Sequence, residues 1–500
     1  MLKISLLLCI FITCHSCNVF KSYEPNPERE LRGVWIATVA NIDWPKNKTD
    51  SIDKKKEDYL KILDFYKNLN FNAVIVQVRT AGDAFYPTQK APWSRFLTSK
   101  EGHADPIYDN ILEWMIDQAH IMGFEFHAWL NPYRATIDEN TKQLSKKHDL
   151  FKHPEWMIKY GKKYYFDPGI PSVKEHLTEI INEVVVNFNI DAIHFDDYFY
   201  PYKIKGEIFQ DSLTYQKHKI AGQNIDDWRR SNVDSLVKIT HKNIKKNKPW
   251  VQFGISPFGV WKNKDTDIRG SDTKAEQTSY DDLYADPLTW IENGWIDYIV
   301  PQIYWSMDYE KASHKKLLRW WKENALNTNL YIGNGTYKIR NNNDKAWNSK
   351  KEIPDQIRLS RQTTEVKGNV FFSARSSMGK NEDVIKILKR KYYSQQSLPP
   401  ISKHSPFIKI NKPKIEEYKV FKDSIKIKIK KKNPSIRYLL VYQKGKSGKE
   451  HLKSKIYIPR NTSKTLTISK AVINISKPIS LKYFDKYRQV SKPLKIGLNH

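Results

Sequence analysis

Two adjacent carboxylates followed by tyrosines carry the most chemistry in this chain: Asp191-Ala-Ile-His-Phe-Asp-Asp-Tyr-Phe-Tyr-Pro-Tyr202. Ile190 to Phe195 reads as a buried strand that breaks into Asp196-Asp197 and then an aromatic loop. Acids at the C-terminal edge of an apolar strand are where a parallel α/β barrel keeps its reactive groups. Paired carboxyl groups suit glycosidic bond cleavage, in which one protonates the leaving oxygen, and sugar rings pack on aromatic faces. Side chains alternate along a strand. Ile193 and Phe195 therefore face outward, and His194 and Asp196 face the barrel interior. Asp197 reaches the same cleft only if the strand ends there, and Tyr198-Phe-Tyr-Pro201 ends it.

Other strand ends converge on the same rim. Gln77 and Arg79 share a phase and lead into Thr80-Ala-Gly-Asp83. Glu125, His127, Trp129 and Asn131 share another, followed by Pro132-Tyr-Arg134. Gly254 and Ser256 precede Pro257-Phe258; Gln302 and Tyr304 precede Trp305; Ser373 and Arg375 lie together. Asp196 and Asp197 are the expected catalytic pair. The expected substrate contacts are Asp43, Trp44, Gln77, Arg79, Asp83, His127, Trp129, Asn131, Arg134, His194, Tyr198, Gln302, Tyr304 and Trp305. Each has a plainer reading: an isolated Asp after a strand caps a turn, and barrel histidines are commonly hydrogen-bonded fillers. His194, Asp196 and His127 are types that ligate zinc, but no spaced ligand motif accompanies them, and no metal or other cofactor is expected.

These residues need a scaffold. Strand-like runs at Gly33–Thr38, Ala73–Val78, Glu125–Leu130, Ala192–Phe195, Val251–Ser256, Tyr298–Ile303, Leu330–Gly333 and Asn369–Ser373 alternate with helix-like segments such as Lys54–Leu69, Ile107–Met122, Val173–Phe188, Ile225–Lys246 and Asp355–Val366. Eight such alternations predict an α/β fold, a (β/α)8 TIM barrel over residues 29–395. Pro399-Pro400 and the residues after it read as a linker. Beyond it, short strands such as Ser424-Ile-Lys-Ile-Lys-Ile429 predict a small β-sandwich of fibronectin type III style over 405–500.

Charge divides the chain at the same place. Residues 401–500 hold 26 Lys and Arg against 5 Asp and Glu, whereas all 15 tryptophans lie between Trp35 and Trp347. The basic tail reads either as lysine-rich solvated strands or as attraction to an anionic surface. Met1–Ser16, with one lysine and the apolar run Ile4–Ile12, reads as an export signal over 1–17. Ser16 before Cys17 fits lipoprotein processing with Cys17 lipidated, although Cys14 is an alternative site. All three cysteines fall in this segment, so the mature fold is expected to have neither disulfide nor thiol nucleophile. The expected setting is the cell envelope, with a membrane anchor on Cys17 and no nucleic-acid partner.

Several ordered motifs, Glu30-Leu-Arg-Gly-Val-Trp-Ile-Ala-Thr38, Val76-Gln-Val-Arg79, His127-Ala-Trp-Leu-Asn-Pro-Tyr-Arg134, Ile193-His-Phe-Asp-Asp-Tyr-Phe-Tyr-Pro201, Gly254-Ile-Ser-Pro-Phe-Gly259 and Tyr298-Ile-Val-Pro-Gln-Ile-Tyr-Trp305, resemble those of glycosyl hydrolase-like family 10, formerly a domain of unknown function. The resemblance spans about residues 29–375. It implies a TIM barrel, glycoside hydrolysis and envelope lipoproteins, among them an enzyme that cuts peptidoglycan strands stripped of their peptides. Asp196 and Asp197 match the family's strand-four acids. The expected reaction is hydrolysis of a β-linked, N-acetylated glycan by one of two routes. One pairs an aspartate with a second carboxylate, Asp83 or Glu207 being candidates; the other uses the substrate's own 2-acetamido group, oriented by one aspartate while its neighbour protonates. The rivals are a non-catalytic glycan-binding lipoprotein and a metal-dependent hydrolase.

Overall fold

The computed structural model describes residues 27–429, 433–445, 447–459 and 465–498. The export segment and Cys17 lie outside them. Eight parallel strands close on themselves: β1 (Leu31–Ile36), β2 (Ala73–Arg79), β3 (Glu125–Leu130), β4 (Ala192–Phe195), β5 (Gln252–Ile255), β6 (Tyr298–Ile299), β7 (Asn329–Asn334) and β8 (Val366–Phe371), with β8 paired to β1. A helix follows each: α1 (Ile52–Asn68), α2 (Ile111–Ile121), α3 (Pro171–Asn187), α4 (Ile225–Asn247), α5 (Pro287–Glu292), α6 (His314–Asn324), α7 (Glu352–Gln362) and α8 (Glu382–Lys391). The predicted (β/α)8 barrel is the observed one.

Alternation sorts the side chains into two layers. Val34, Val74, Val76, Phe126, Ile193 and Phe195 face outward into a continuous core under the helices. Leu31, Trp35, Ile75, Trp129, Tyr298 and Tyr331 fill the interior. The phase predicted for β4, apolar Ile193 and Phe195 outward and His194 inward, is therefore correct. Large aromatics fit inside only where a neighbour yields space. A Cβ at Gly254 would lie 2.0 Å from Cζ of Tyr298, whose ring crosses the barrel there.

Two elements differ from their predicted spans for local reasons. The helix predicted over Ile107–Met122 is divided: the Asp105 side chain caps a short 3-10 turn, Pro106–Tyr108, and α2 starts afresh after it. The strand predicted over Tyr298–Ile303 pairs regularly only at Tyr298–Ile299, because Pro301 has no N–H to donate. Gln302 returns to the barrel through single bridges to Phe258 and Gly333. Between β3 and α3 a hairpin, Met157–Tyr160 and Lys163–Phe166, rises at the rim and bridges to Arg134 through Tyr165.

The C-terminal region forms two antiparallel sheets. One holds β9 (Ile415–Val420), β10 (Ser424–Ile429) and β13 (Thr465–Ser469); the other holds β11 (Ile436–Lys444), β12 (Glu450–Tyr457), β14 (Ile479–Asp485) and β15 (Leu494–Ile496). Ile425, Ile427, Leu439, Val441, Ile468 and Leu481 share their common core. The outer strands β9 and β15 carry no alternation strong enough to read, since as edge strands they bury little. The opposite face of the larger sheet, through Tyr438, Leu440, Tyr442 and Phe484, packs with Leu398. Tyr438 Oη donates to the Phe124 carbonyl (3.2 Å) and Lys455 Nζ to that of Gly123 (3.0 Å), so this sheet covers the N-terminal end of the barrel. The predicted linker is held down as well: Ser402 Oγ donates to Asp297 Oδ1 at 2.8 Å.

Gly254→Ala is expected to lower stability by about 1–3 kcal/mol through overpacking against Tyr298, read as a lower thermal midpoint.

Candidate active site

A cleft of about 420 Å³ opens at the C-terminal end of the barrel. β4 stops at Phe195, and both Asp196 and Asp197 line the cleft. The Tyr198 amide donates to Asp196 Oδ1 at 3.2 Å. The Tyr202 hydroxyl donates to Asp197 Oδ2 in a very short contact, and the Gln302 amide also bonds this carboxylate. Gln302 is itself held by donating to the Ser256 carbonyl at 2.9 Å. Arg134 donates to the Thr80 carbonyl at 3.0 Å and lies 4.4 Å over the Tyr198 ring, which sets a cation beside the acids.

Electrostatics separates the pair from ordinary surface carboxylates. Burial, then the like charge of Asp197, pushes Asp196 up to about 7; the Arg134 guanidinium opposes this. Burial also raises Asp197, against the hydrogen bond from Tyr202. A carboxylic acid still protonated near neutral pH is the state a proton donor requires.

Aromatic rings build the walls. Trp305 meets Phe258 edge-on at 5.6 Å, and Tyr304 stacks with Phe372 at 6.0 Å. Trp129 lines the cleft, and its indole N–H finds no partner among the described residues; the Asn131 amide turns towards the Asp196 carboxylate. Gln77 accepts from the amides of Thr38 (3.1 Å) and Val39 (3.0 Å), which ties the loop after β1 to the site.

Of the residues named from sequence, Gln77, Trp129, Arg134, Asp196, Asp197, Tyr198, Gln302, Tyr304 and Trp305 line the cleft. The others support it from below or behind. Asp43 accepts from the Ala37 and Arg375 amides and the Ser373 hydroxyl, pinning the loops after β1 and β8 together. Trp44 is buried and donates to the Lys55 carbonyl of α1 at 2.7 Å. Arg79 is buried against Phe166, and Asp83 closes its own turn by accepting from Thr80 and Ala81. Asn131 accepts from Gln77 at 3.3 Å. His127 and His194 have the predicted inward phase but sit deeper in the barrel, bonded to Tyr298, so they are floor rather than wall. Among the described residues no group of three His, Cys, Asp or Glu side chains is arranged to hold a metal ion.

Trp35, Tyr202, Ser256, Phe258, Tyr337, Lys338 and Phe372 also line the cleft, although none was among the expected substrate contacts. Alternation along β1 and β5 already carried Trp35 and Ser256. Tyr337, Lys338 and Phe372 come from the ends of β7 and β8, where no period marks direction.

An acid pair at the end of β4, in an aromatic cleft of a (β/α)8 barrel, is an arrangement that suits a glycoside hydrolase. A family profile described as "Glycosyl hydrolase-like 10" matches residues 30–349, and the chain belongs to that family. It is 48% identical over 378 residues to "Glycosyl hydrolase YngK" of Bacillus subtilis (strain 168), covering 75% of this chain and 74% of that one. It is 36% identical over 365 residues to "Glycosyl hydrolase DigH" of Escherichia coli (strain K12), covering 68% and 82%. Among solved structures, the PgaB (BpsB) glycoside hydrolase domain from Bordetella bronchiseptica superposes with a TM-score of 0.48 at 10% identity, covering 72% of this chain and 99% of that one.

Carboxyl-resolved NMR titration is expected to place the Asp196 midpoint near pH 7. Arg134→Gln removes the cation that opposes the shift, so the midpoint should move further up.

Proposed function

We propose that this protein hydrolyses a β-linked, N-acetylated glycan of the cell envelope, most specifically peptidoglycan strands freed of their peptides, with Asp196 and Asp197 as its catalytic acids. One observation carries the reading: among the described residues, these neighbours are the only carboxylates lining the cleft. Asp83 is consumed in its turn, and Glu207, exposed on another loop, accepts from the Gly161 amide at 2.6 Å. A two-carboxylate mechanism needs acids on either side of the scissile bond. Adjacent acids suit the substrate-assisted route, in which the sugar's acetamido oxygen attacks the anomeric carbon. Asp197, held by Tyr202 and Gln302, orients that group; Asp196, raised by burial and by the like charge beside it, gives its proton to the leaving oxygen. A 2-acetamido sugar is then a requirement of the chemistry. Arg134 and Lys338 add two cations to the cleft lining, which suits a polymer bearing a carboxylate on alternate sugars.

Export and lipidation at Cys17 belong to the same proposal and would hold the cleft near the wall. The sandwich is read as fibronectin type III in kind from its three-plus-four strand arrangement.

Mass spectrometry of products from residues 18–500 incubated with peptide-free glycan strands tests the reading. Wild type should shorten the chains, and Asp196→Asn and Asp197→Asn should each lose about 100- to 10,000-fold in rate while remaining folded. Activity should decline above about pH 7 as Asp196 loses its proton. Intact chains from wild type would reject the assigned substrate. Equal glycan binding without turnover in all three proteins would instead establish a binding lipoprotein.

A further inference from the structure

The barrel interior below the cleft is a single file of buried polar groups that begins outside the barrel. Arg488, from the turn after β14, is fully buried at the barrel's N-terminal end. It grips Glu125 of β3 through two bonds, Nε to Oε1 at 2.6 Å and Nη2 to Oε2 at 2.5 Å, and also donates to the Pro400 carbonyl. Glu125 Oε2 meets His127 Nε2 at 3.2 Å, and His127 Nδ1 meets Tyr298 Oη at 2.9 Å. Tyr298 Oη meets His194 Nδ1 at 3.1 Å. His194 Nε2 meets both Trp35 Nε1 (3.1 Å) and Ser256 Oγ (3.0 Å). Trp35 and Ser256 line the cleft, and the Ser256 carbonyl holds Gln302 beside Asp197.

Donor and acceptor rules leave one proton arrangement along this file. An indole N–H only donates, so His194 Nε2 accepts and its proton sits on Nδ1. Tyr298 therefore accepts from His194 and donates to His127 Nδ1. His127 then carries its proton on Nε2 and donates to an ionised Glu125, which Arg488 neutralises. Both imidazoles are neutral, as burial also dictates.

We propose that Arg488 of the C-terminal sandwich is a positioning residue for the active site, setting the His127 and His194 tautomers and through them the cleft floor at Trp35, Ser256 and Gln302. The reason is a domino of single protons. Without the guanidinium, the buried Glu125 charge must be quenched, either by a proton on Glu125 or by a second proton on His127. When the proton goes to His127, or when the new Glu125 O–H donates to His127 Nε2, Nδ1 of His127 then carries hydrogen, Tyr298 turns to donate to His194 Nδ1, and the His194 proton moves to Nε2. That N–H would face the Trp35 N–H, donor against donor, and the floor must rearrange. The sandwich is thus part of the site it lies behind, in addition to whatever surface its lysines contact.

The catalytic consequence rests on the glycosidase reading, so the test has a readout free of it. In the full chain with 15N-labelled histidine, long-range 1H–15N spectra, assigned with His127→Gln and His194→Gln, should show His194 protonated at Nδ1 and His127 at Nε2. Arg488→Gln should place hydrogen on His127 Nδ1, move the His194 proton to Nε2 and lower kcat on glycan strands about 10- to 100-fold, the range expected when a reacting group is displaced by about an ångström. Glu125→Gln/Arg488→Gln removes both charges yet leaves His127 an acceptor, so it should restore the tautomers and most of the rate; Arg488→Lys, which keeps the charge, should do so in part. Wild-type tautomers of the opposite sense would overturn the proposal, as would an unchanged spectrum in Arg488→Gln. A double variant no better than the single one would also sink it. If wild type fails to cut the glycan, the substrate reading falls while the spectra still decide this one.

Discussion

An eight-stranded barrel encloses a space that side chains must fill completely, and every polar atom placed there has to find a partner without water. This constraint governs the molecule from its base to its cleft. Near the base, Glu125 is tolerable only because Arg488 reaches in from another sheet to meet it. Midway, Tyr298 satisfies two histidines at once, and it has room because position 254 is glycine. At the top the file of partners runs out, and the groups that line the opening are those that a ligand would meet: the two aspartates and the unpartnered Trp129 N–H.

Desolvation has opposite results at the two ends. Burial would raise Glu125, but the Arg488 guanidinium outweighs it and holds that carboxyl well below its usual range. Asp196 has a neighbour of its own sign, and Arg134, itself engaged with Thr80 and Tyr198, offsets it only in part together with the Tyr198 and Asn131 amides; its affinity for a proton rises. The same side-chain chemistry thus yields a fixed charge at the base and a carboxyl with raised proton affinity at the mouth. The difference lies in whether a cation forms a bidentate pair or merely stands nearby.

The C-terminal sheets carry much of the chain's positive charge, and their basic residues are not all alike. Lysines on β10 alternate with core isoleucines and face solvent. Arg437 and Arg488 instead leave the sandwich to engage Asp191 and Glu125 at the barrel's end, where both pairs are buried. Buried ion pairs give geometry more dependably than net stability, and these two set how one layer of strands sits on the other.

Much of this was legible in the residues themselves. Strand–helix alternation determined the barrel, period-two phase put His194 and Asp196 inside and Ile193 and Phe195 outside, and the break at Asp196-Asp197 located the acids. These are local properties, set by spacing along the chain. Depth is not local: phase says that a residue faces the axis but not how far down, which is why His127 and His194 read as cleft residues and proved to be floor. Nor does spacing reveal partners hundreds of positions apart, such as Arg488 with Glu125 or Asp43 with Ser373. The amino-acid order determined which residues face inward. Closure of the barrel and the docking of the last sheets decided which of them meet a substrate and which meet one another.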